Sequence, residues 1–360
     1  MSVQKISLSD FRNFRRLALS FSEKTSVIIG ANASGKTNIL ESLFLLSTGK
    51  SFKAHLEEEM INYDKDIARI KATVGEMTLE VLLTRGLIDI GASRPEKVPR
   101  KRLLVGGVPK RLLDFTGNFK SVLFGPWDLD LITEAPSLRR RFLDNAISQV
   151  DREYRRGLLS YEKGLRQRNR LLFRIREEGL SRSQLLFWNQ LLIKNGDYVS
   201  DLRANFIDFI NSTAALGGQA FSVDYDKSAI SEARLDQYQE EEIAAATTLV
   251  GPHRDDFIIK ILSNGSKVIK DRKQRDLSRF GSRGEQRMGV LWLKLAEIAF
   301  IEKETGTRPT LLLDDIFSEL DHEHREIVMQ AAGRQQTIIT TADSHFIEKF
   351  KKVEKINLGG

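Results

Sequence analysis

The sequence predicts an α/β fold of mixed sheets and helices, interrupted by an inserted, mainly helical lobe. Three observations lead there. Residues 26–46 run from the short β-branched stretch Ser26-Val27-Ile28-Ile29 through a glycine-containing loop into apolar residues at 39, 40, 43 and 46, which carry a helical period. Residues 310–315 form a second apolar run that ends in two carboxylates, Asp314 and Asp315. Between them, residues 137–212 read as helix, with few prolines or β-branched runs. About 270 residues separate Thr37 from Leu311, far more than one crossover connection needs, so the insertion lies between two halves of one sheet. The pattern holds no sustained heptads, hence no long coiled coil.

The loop Gly30-Ala31-Asn32-Ala33-Ser34-Gly35-Lys36-Thr37 fits G-x-x-x-x-G-K-[ST] between a strand and a helix. Gly30 and Gly35 permit backbone conformations that aim a row of N–H groups at the positive end of the following helix. Lys36 can reach terminal phosphates, the Thr37 hydroxyl can ligate Mg²⁺, and Asn38 opens the helix beside them. The loop is therefore read as a nucleoside triphosphate site. Asp314 stands where a metal-holding carboxylate belongs, and Asp315 where a water-activating one would be.

Composition narrows the class. The 360 residues are 41% hydrophobic, enough for two or three domains, and no apolar run approaches a membrane span. With no cysteine, disulfides and thiolate metal sites are excluded. The formal charge of +7 points to a polyanion partner once its location is known. Residues 94–111 carry seven Lys or Arg against Glu96, punctuated by Pro95, Pro99, Gly106, Gly107 and Pro109. Residues 137–176 hold twelve Lys or Arg and four Asp or Glu, an excess larger than the net charge of the chain. Arg139, Arg140 and Arg141, and Arg166, Arg168 and Arg170, are the expected phosphate-tracking contacts there, the competing role being structural.

In chain order, residues 3–8 and 16–21 alternate as strands around the aromatic and basic loop Ser9-Asp10-Phe11-Arg12-Asn13-Phe14. Strand patterns at 67–74 and 77–83 predict an antiparallel sheet beside the nucleotide sheet. Strand character returns at Thr247, with 257–262 and 267–269 flanking the turn Ser263-Asn264-Gly265-Ser266. Gly251-Pro252-His253-Arg254 reads equally as a turn or as a site segment.

Phe280-Gly281-Ser282-Arg283-Gly284-Glu285-Gln286-Arg287, leading into a helix, resembles the signature motif of ABC-type ATPases. Ser318-Glu319-Leu320-Asp321 resembles that superfamily's D-loop. Together with residues 10–14 these motifs are similar to the branch of ABC-type ATPases that holds the SMC and RecF proteins. Three stretches narrow the resemblance to the RecF family: 123–129 with 139–144, 251–256, and 314–321. The likeness runs over essentially the whole chain.

The resemblance implies an ABC-type head, with residues 1–122 and 247–360 as the ATPase lobe and 123–246 as a helical lobe with basic, DNA-facing helices. It implies ATP and Mg²⁺ as cofactors, Arg12 among the nucleotide contacts, and weak, DNA-stimulated hydrolysis. An ATP-bound homodimer is implied, in which Ser282 of one subunit reaches the γ-phosphate held by Lys36 of the other. Binding of duplex and gapped DNA follows, with loading of RecA alongside RecO and RecR in recombinational repair, and a cytoplasmic, nucleoid-associated location. The sequence departs from the superfamily in three places. Asp315 replaces the common glutamate. Trp127 replaces the acid expected before Asp128. Thr340-Thr341-Ala342-Asp343 stands where a switch histidine would be, making Thr340 and Thr341 the candidate γ-phosphate sensors, with His345 a surface or packing residue. The basic insertion and the missing switch histidine argue against a transporter's nucleotide-binding subunit. The lack of further clustered carboxylates argues against a fused nuclease.

Overall fold

The computed structural model describes residues 2–88, 96–262, 274–318, 320, 322–343 and 353–358. Arg94, Pro95, the turn at 263–266, the strand expected at 267–269, Glu319, Asp321 and His345 lie outside the described residues. The chain divides into two compact units, Met1–Asp128 with Glu297–Gly360, and Leu129–Ala296.

The first unit holds two sheets. Strands β1 (Val3–Phe11), β2 (Phe14–Ser20), β4 (Ile67–Val74) and β5 (Met77–Thr84), followed by Lys101–Val105 and Val108–Lys110, form an antiparallel sheet in the order β2, β1, β4, β5 and then the last two. Strand β3 (Thr25–Ile29) belongs to a five-stranded parallel sheet. Its order is Ser121–Phe124, Thr310–Asp314, Thr337–Thr341, β3 and Glu354–Asn357. Four of its strands read as continuous apolar or Thr-rich runs because both faces are covered, while Glu354–Asn357 is polar and largely exposed. Helix α1 (Lys36–Thr48) contacts strands of both sheets. It buries Ile39, Leu40, Leu43, Leu45 and Leu46 completely, in one core with Ile6, Ile70, Leu83, Leu312 and Ile338. A helix buried on nearly all sides can only be stable inside a fold, and each such apolar side chain contributes roughly 1.5–3 kcal/mol.

The second unit is built on two long antiparallel helices, Arg152–Glu178 and Leu186–Asn211, with Pro136–Val150 beside them. Asp151 caps the first by accepting from the Tyr154 N–H, and Gly179 ends it in a left-handed conformation. Here the division differs from the sequence expectation. Residues 256–262 pair antiparallel with 220–226, register Phe221↔Ile261 and Tyr225↔Phe257, so 247–296 cluster with the helices. Local alternation identifies a strand but carries no information about which distant strand it joins.

Candidate functional site

The parallel sheet sets the site. β3 and the strand Thr337–Thr341 are neighbours in register Ile28↔Thr340, and the latter pairs with Thr310–Asp314 in register Thr340↔Asp314. Two strand spacings, roughly 10 Å, therefore separate the start of the glycine loop from Asp314 at one sheet edge. Ligands of parallel α/β sheets bind outside this carboxyl edge.

Gly35 adopts φ 100°, left-handed, immediately before α1, and a Cβ there would lie 2.4 Å from Phe14 Cζ. Both constraints demand glycine. The loop turns inward around Lys36, a buried side chain whose ammonium donates to the carbonyls of Gly30 (2.7 Å) and Ala31 (2.9 Å). Ala31, Asn32 and Ala33 are exposed at its rim. Asn13 Nδ2 donates to Ser34 O (3.2 Å) and Asn38 Nδ2 donates to Asn13 Oδ1 (2.9 Å), so β2's entry loop braces the helix start. No side chain caps α1 and no acid sits in its first turn, which leaves its positive end for an anion. The Ser34 hydroxyl is buried among the loop atoms and has no hydrogen-bond partner among the described residues. An orphaned hydroxyl beside a buried ammonium and an uncapped helix start fits phosphate oxygens.

Asp314 is buried at the end of its strand and accepts the Thr340 hydroxyl hydrogen at 2.5 Å. Asp315 follows at φ 46°, strained for a residue with a Cβ, and its N–H donates to Thr340 O (3.1 Å). Thr341 turns its hydroxyl to Asp343 O (3.1 Å) and shapes the turn. Thr340 and Thr341, interchangeable from the sequence, thus divide: one holds the carboxylate and the other closes a loop. No cluster of three or more His, Cys, Asp or Glu ligands occurs among the described residues.

Arg12 adopts φ 51° and its guanidinium grips Glu41 of α1 through Nε (2.8 Å) and a terminal nitrogen (2.6 Å), while donating also to Glu59 O. Glu41 is completely buried and additionally accepts from Ser51. This fork is a strong geometry, two parallel charge-assisted bonds. Arg12 also lines a cleft of about 460 Å³ with Asn13, Asn38, Lys53, Ile61 and Tyr63. Glu41 and the wall at 58–63 escaped the sequence reading, because nothing in their spacing ties them to Arg12.

Ser282 opens the helix Arg283–Thr305 with a reciprocal cap: its N–H donates to Glu285 Oε2 (2.7 Å), and the Glu285 N–H donates to its Oγ (3.2 Å). Ser282 and Gly284 are exposed. At Gly281 a Cβ would meet Leu277 O at 2.5 Å, so the turn before Ser282 is closely fitted.

The basic residues do not behave alike. Arg168 is corrected from DNA contact to internal strut. It is buried and spends its donors on Asn189 (2.7 Å), Thr248 (2.8 Å) and the buried Glu242 (2.6 Å). Its place in the helix, with Tyr161, Leu172 and Ile175 on the inward face, puts it inside. Arg139 forks onto Asp256, and Arg140 donates to Asp255 O at 2.7 Å. Burial and nearby Arg203 lower the Arg140 pKa. Arg141, Arg166 and Arg170 are exposed.

Residues 251–256 resolve toward structure. Asp255 is buried and accepts from Arg203, Ser200 and Tyr225. His253 Nε2 lies 2.9 Å from Thr248 O, which can only accept, so Nε2 carries the proton and Nδ1 accepts from Tyr161 at 2.7 Å. Burial lowers its pKa to about 4. Arg254 is exposed, with one weak donation to Thr248 O. Phe52 stacks on Trp127 at 4.9 Å, so Trp127 acts as an apolar side chain where an acid was expected.

Residues 2–98 match the family described as RecF/RecN/SMC N terminal domain. The DNA replication and repair protein RecF of Herpetosiphon aurantiacus is 36% identical over 386 residues, covering 95% of this chain and 94% of that one. Two solved structures of the recombination mediator protein RecF in the RecFOR pathway are similar throughout. The one titled RecF-ATPrS has TM-score 0.83, 29% identity and coverage of 99% and 96% of the two chains. The one titled RecF-ATP has TM-score 0.82, 30% identity and coverage of 95% and 92%. With an ABC-type ATPase head, an inserted helical lobe and relatives matched nearly end to end, the chain belongs to the RecF family of DNA replication and repair proteins.

Proposed function

We propose that the protein is an ATP-switched DNA-binding factor of recombinational repair, acting on duplex and gapped DNA as an ATP-dependent dimer. One observation carries this reading: the orphaned Ser34 hydroxyl and buried Lys36 face the same sheet edge as the Asp314–Thr340 pair, in a chain of this family. Lys36 and the N–H groups of 30–38 hold the phosphates, and the nucleoside end extends toward the cleft bearing Arg12 and Tyr63. Thr37 and Asp314 would hold Mg²⁺, which would supply charge neutralisation at the phosphates. Asp315 orients water, and its strained backbone aims the carboxylate that does so. Ser282 contacts the γ-phosphate from the second subunit, and Thr341 shapes the loop that senses it. Slow hydrolysis then resets the dimer. Arg141, Arg166 and Arg170 track DNA phosphates, and the relatives' RecFOR pathway supports RecO and RecR as partners.

Sizing the protein with and without ATP, then with duplex DNA, tests the switch. ATP should double the mass of the parent and leave Ser282→Arg monomeric with unchanged ATP affinity. A Ser282→Arg protein that dimerises with ATP sinks the reading.

A further inference from the structure

The antiparallel sheet of the first unit turns one face to the core and the other to solvent. Ile6 and Leu8 of β1 and Ile70 and Ala72 of β4 point inward, so the residues between them point out. The register places these outward residues in rows: Lys5 opposite Ser20, Ala18 and Lys71 on either side of Ser7, and Arg16 and Arg69 on either side of Ser9. Leu82 carries the last row from Arg69 to Arg102. Lys5, Arg16, Lys71 and Arg102 are exposed, and none of them makes an ion pair among the described residues. Glu80, the acid within this face, is buried and already holds Arg69 at 2.7 Å. Glu76 lies in the turn after β4.

Between Lys5, Arg16 and Lys71 the floor is small and hydroxylic, with Ser7, Ala18 and Ser20 exposed; Leu82 lies half-buried in the last row, and Ile67 at the margin is 40% exposed. A protein partner would need aromatic or aliphatic anchors in such a patch. A phosphate backbone needs cations around a surface it can approach closely, with hydroxyls to donate. Strand spacing makes the face roughly 19 Å across and about 13 Å along. That spans several phosphates of a duplex, which carries one charge per about 1.7 Å of axis.

We propose that this sheet face is a contact surface for the phosphate backbone of duplex DNA, additional to the helical arginines. The proposal rests on the DNA-binding reading above. Its test is a variant with Lys5, Arg16, Lys71 and Arg102 all changed to Ala, compared with parent in duplex binding across a salt series with ATP present. Each lost contact should lower the log–log salt slope by about 0.9, while ATP affinity and the ATP-dependent mass stay unchanged. A charge-conserving variant, Lys5→Arg and Lys71→Arg with Arg16→Lys and Arg102→Lys, should keep the parental slope and so excludes a folding defect. An unchanged slope in the alanine variant overturns the proposal, whatever protein partner that variant loses. If Arg141, Arg166 and Arg170 changed to Ala lower the slope in that case, the DNA reading stands without the sheet. A parent that binds no duplex removes both.

Discussion

Thr340 gives its hydroxyl hydrogen to Oδ1 of Asp314 across two adjacent parallel strands, at 2.5 Å, with both residues buried. The carboxylate is thereby aimed before any nucleotide arrives. Thr340→Val removes the donor and leaves a buried charged acceptor short of a bond, which costs about 1–3 kcal/mol. It should lower the melting temperature and weaken Mg²⁺-dependent nucleotide binding, and Thr340→Ser should restore both. If the valine variant melts and binds as the parent does, the bond does not hold Asp314.

Asp314 and Asp315 should separate under mutation. Asp314→Asn loses Mg²⁺-dependent ATP binding and turnover together. Asp315→Asn keeps affinity but turns over ATP ~10²–10⁴-fold more slowly, the usual worth of a general base, and stays dimeric on DNA. Parental turnover in Asp315→Asn, or a loss of affinity matching Asp314→Asn, contradicts this division.

Among the basic helices the outcome should split by burial. Arg168→Ala strands the buried Glu242 and should destabilise the protein by about 3–5 kcal/mol in denaturant. Changing Arg141, Arg166 and Arg170 to Ala should leave stability within about 0.5 kcal/mol and reduce the salt slope of duplex binding instead. Equal effects of the two variants on DNA binding, at equal stability, would show that the internal placement of Arg168 does not matter.

His253 makes stability pH-dependent. Its pKa falls from 6.5 to about 4 on folding because burial disfavours the imidazolium. The unfolded chain therefore takes up the proton first as pH drops, so the contribution is complete above about pH 6.5 and is lost as pH falls toward 4. His253→Gln should flatten the stability profile across that window. A profile as steep as the parent's there assigns the dependence to other groups.

Strongly local features were legible in the sequence. The glycine loop, the run into Asp314 and the helical period of 137–212 each state their structure within about twenty residues. Three things were not. The pairing of 256–262 with 220–226 moved a boundary because antiparallel partners leave no local mark. Arg168 looks like Arg166 and Arg170 until the helix face is known. Glu41 fills an apolar-looking helix because Arg12, on a different element, compensates its charge.

β3 has both of its neighbours, Thr337–Thr341 and Glu354–Asn357, about 300 residues downstream. On a ribosome adding about 5–20 residues per second, the strand that feeds the glycine loop waits roughly 15–60 s for either of them. The antiparallel sheet has no such delay, since β1, β2, β4 and β5 all lie within the first 84 residues and pair locally. During synthesis α1 therefore has one of its two walls and must leave the other side of its apolar surface uncovered. Such a nascent chain is a natural client for chaperones, and its nucleotide-binding edge is the last part of the first unit to become native.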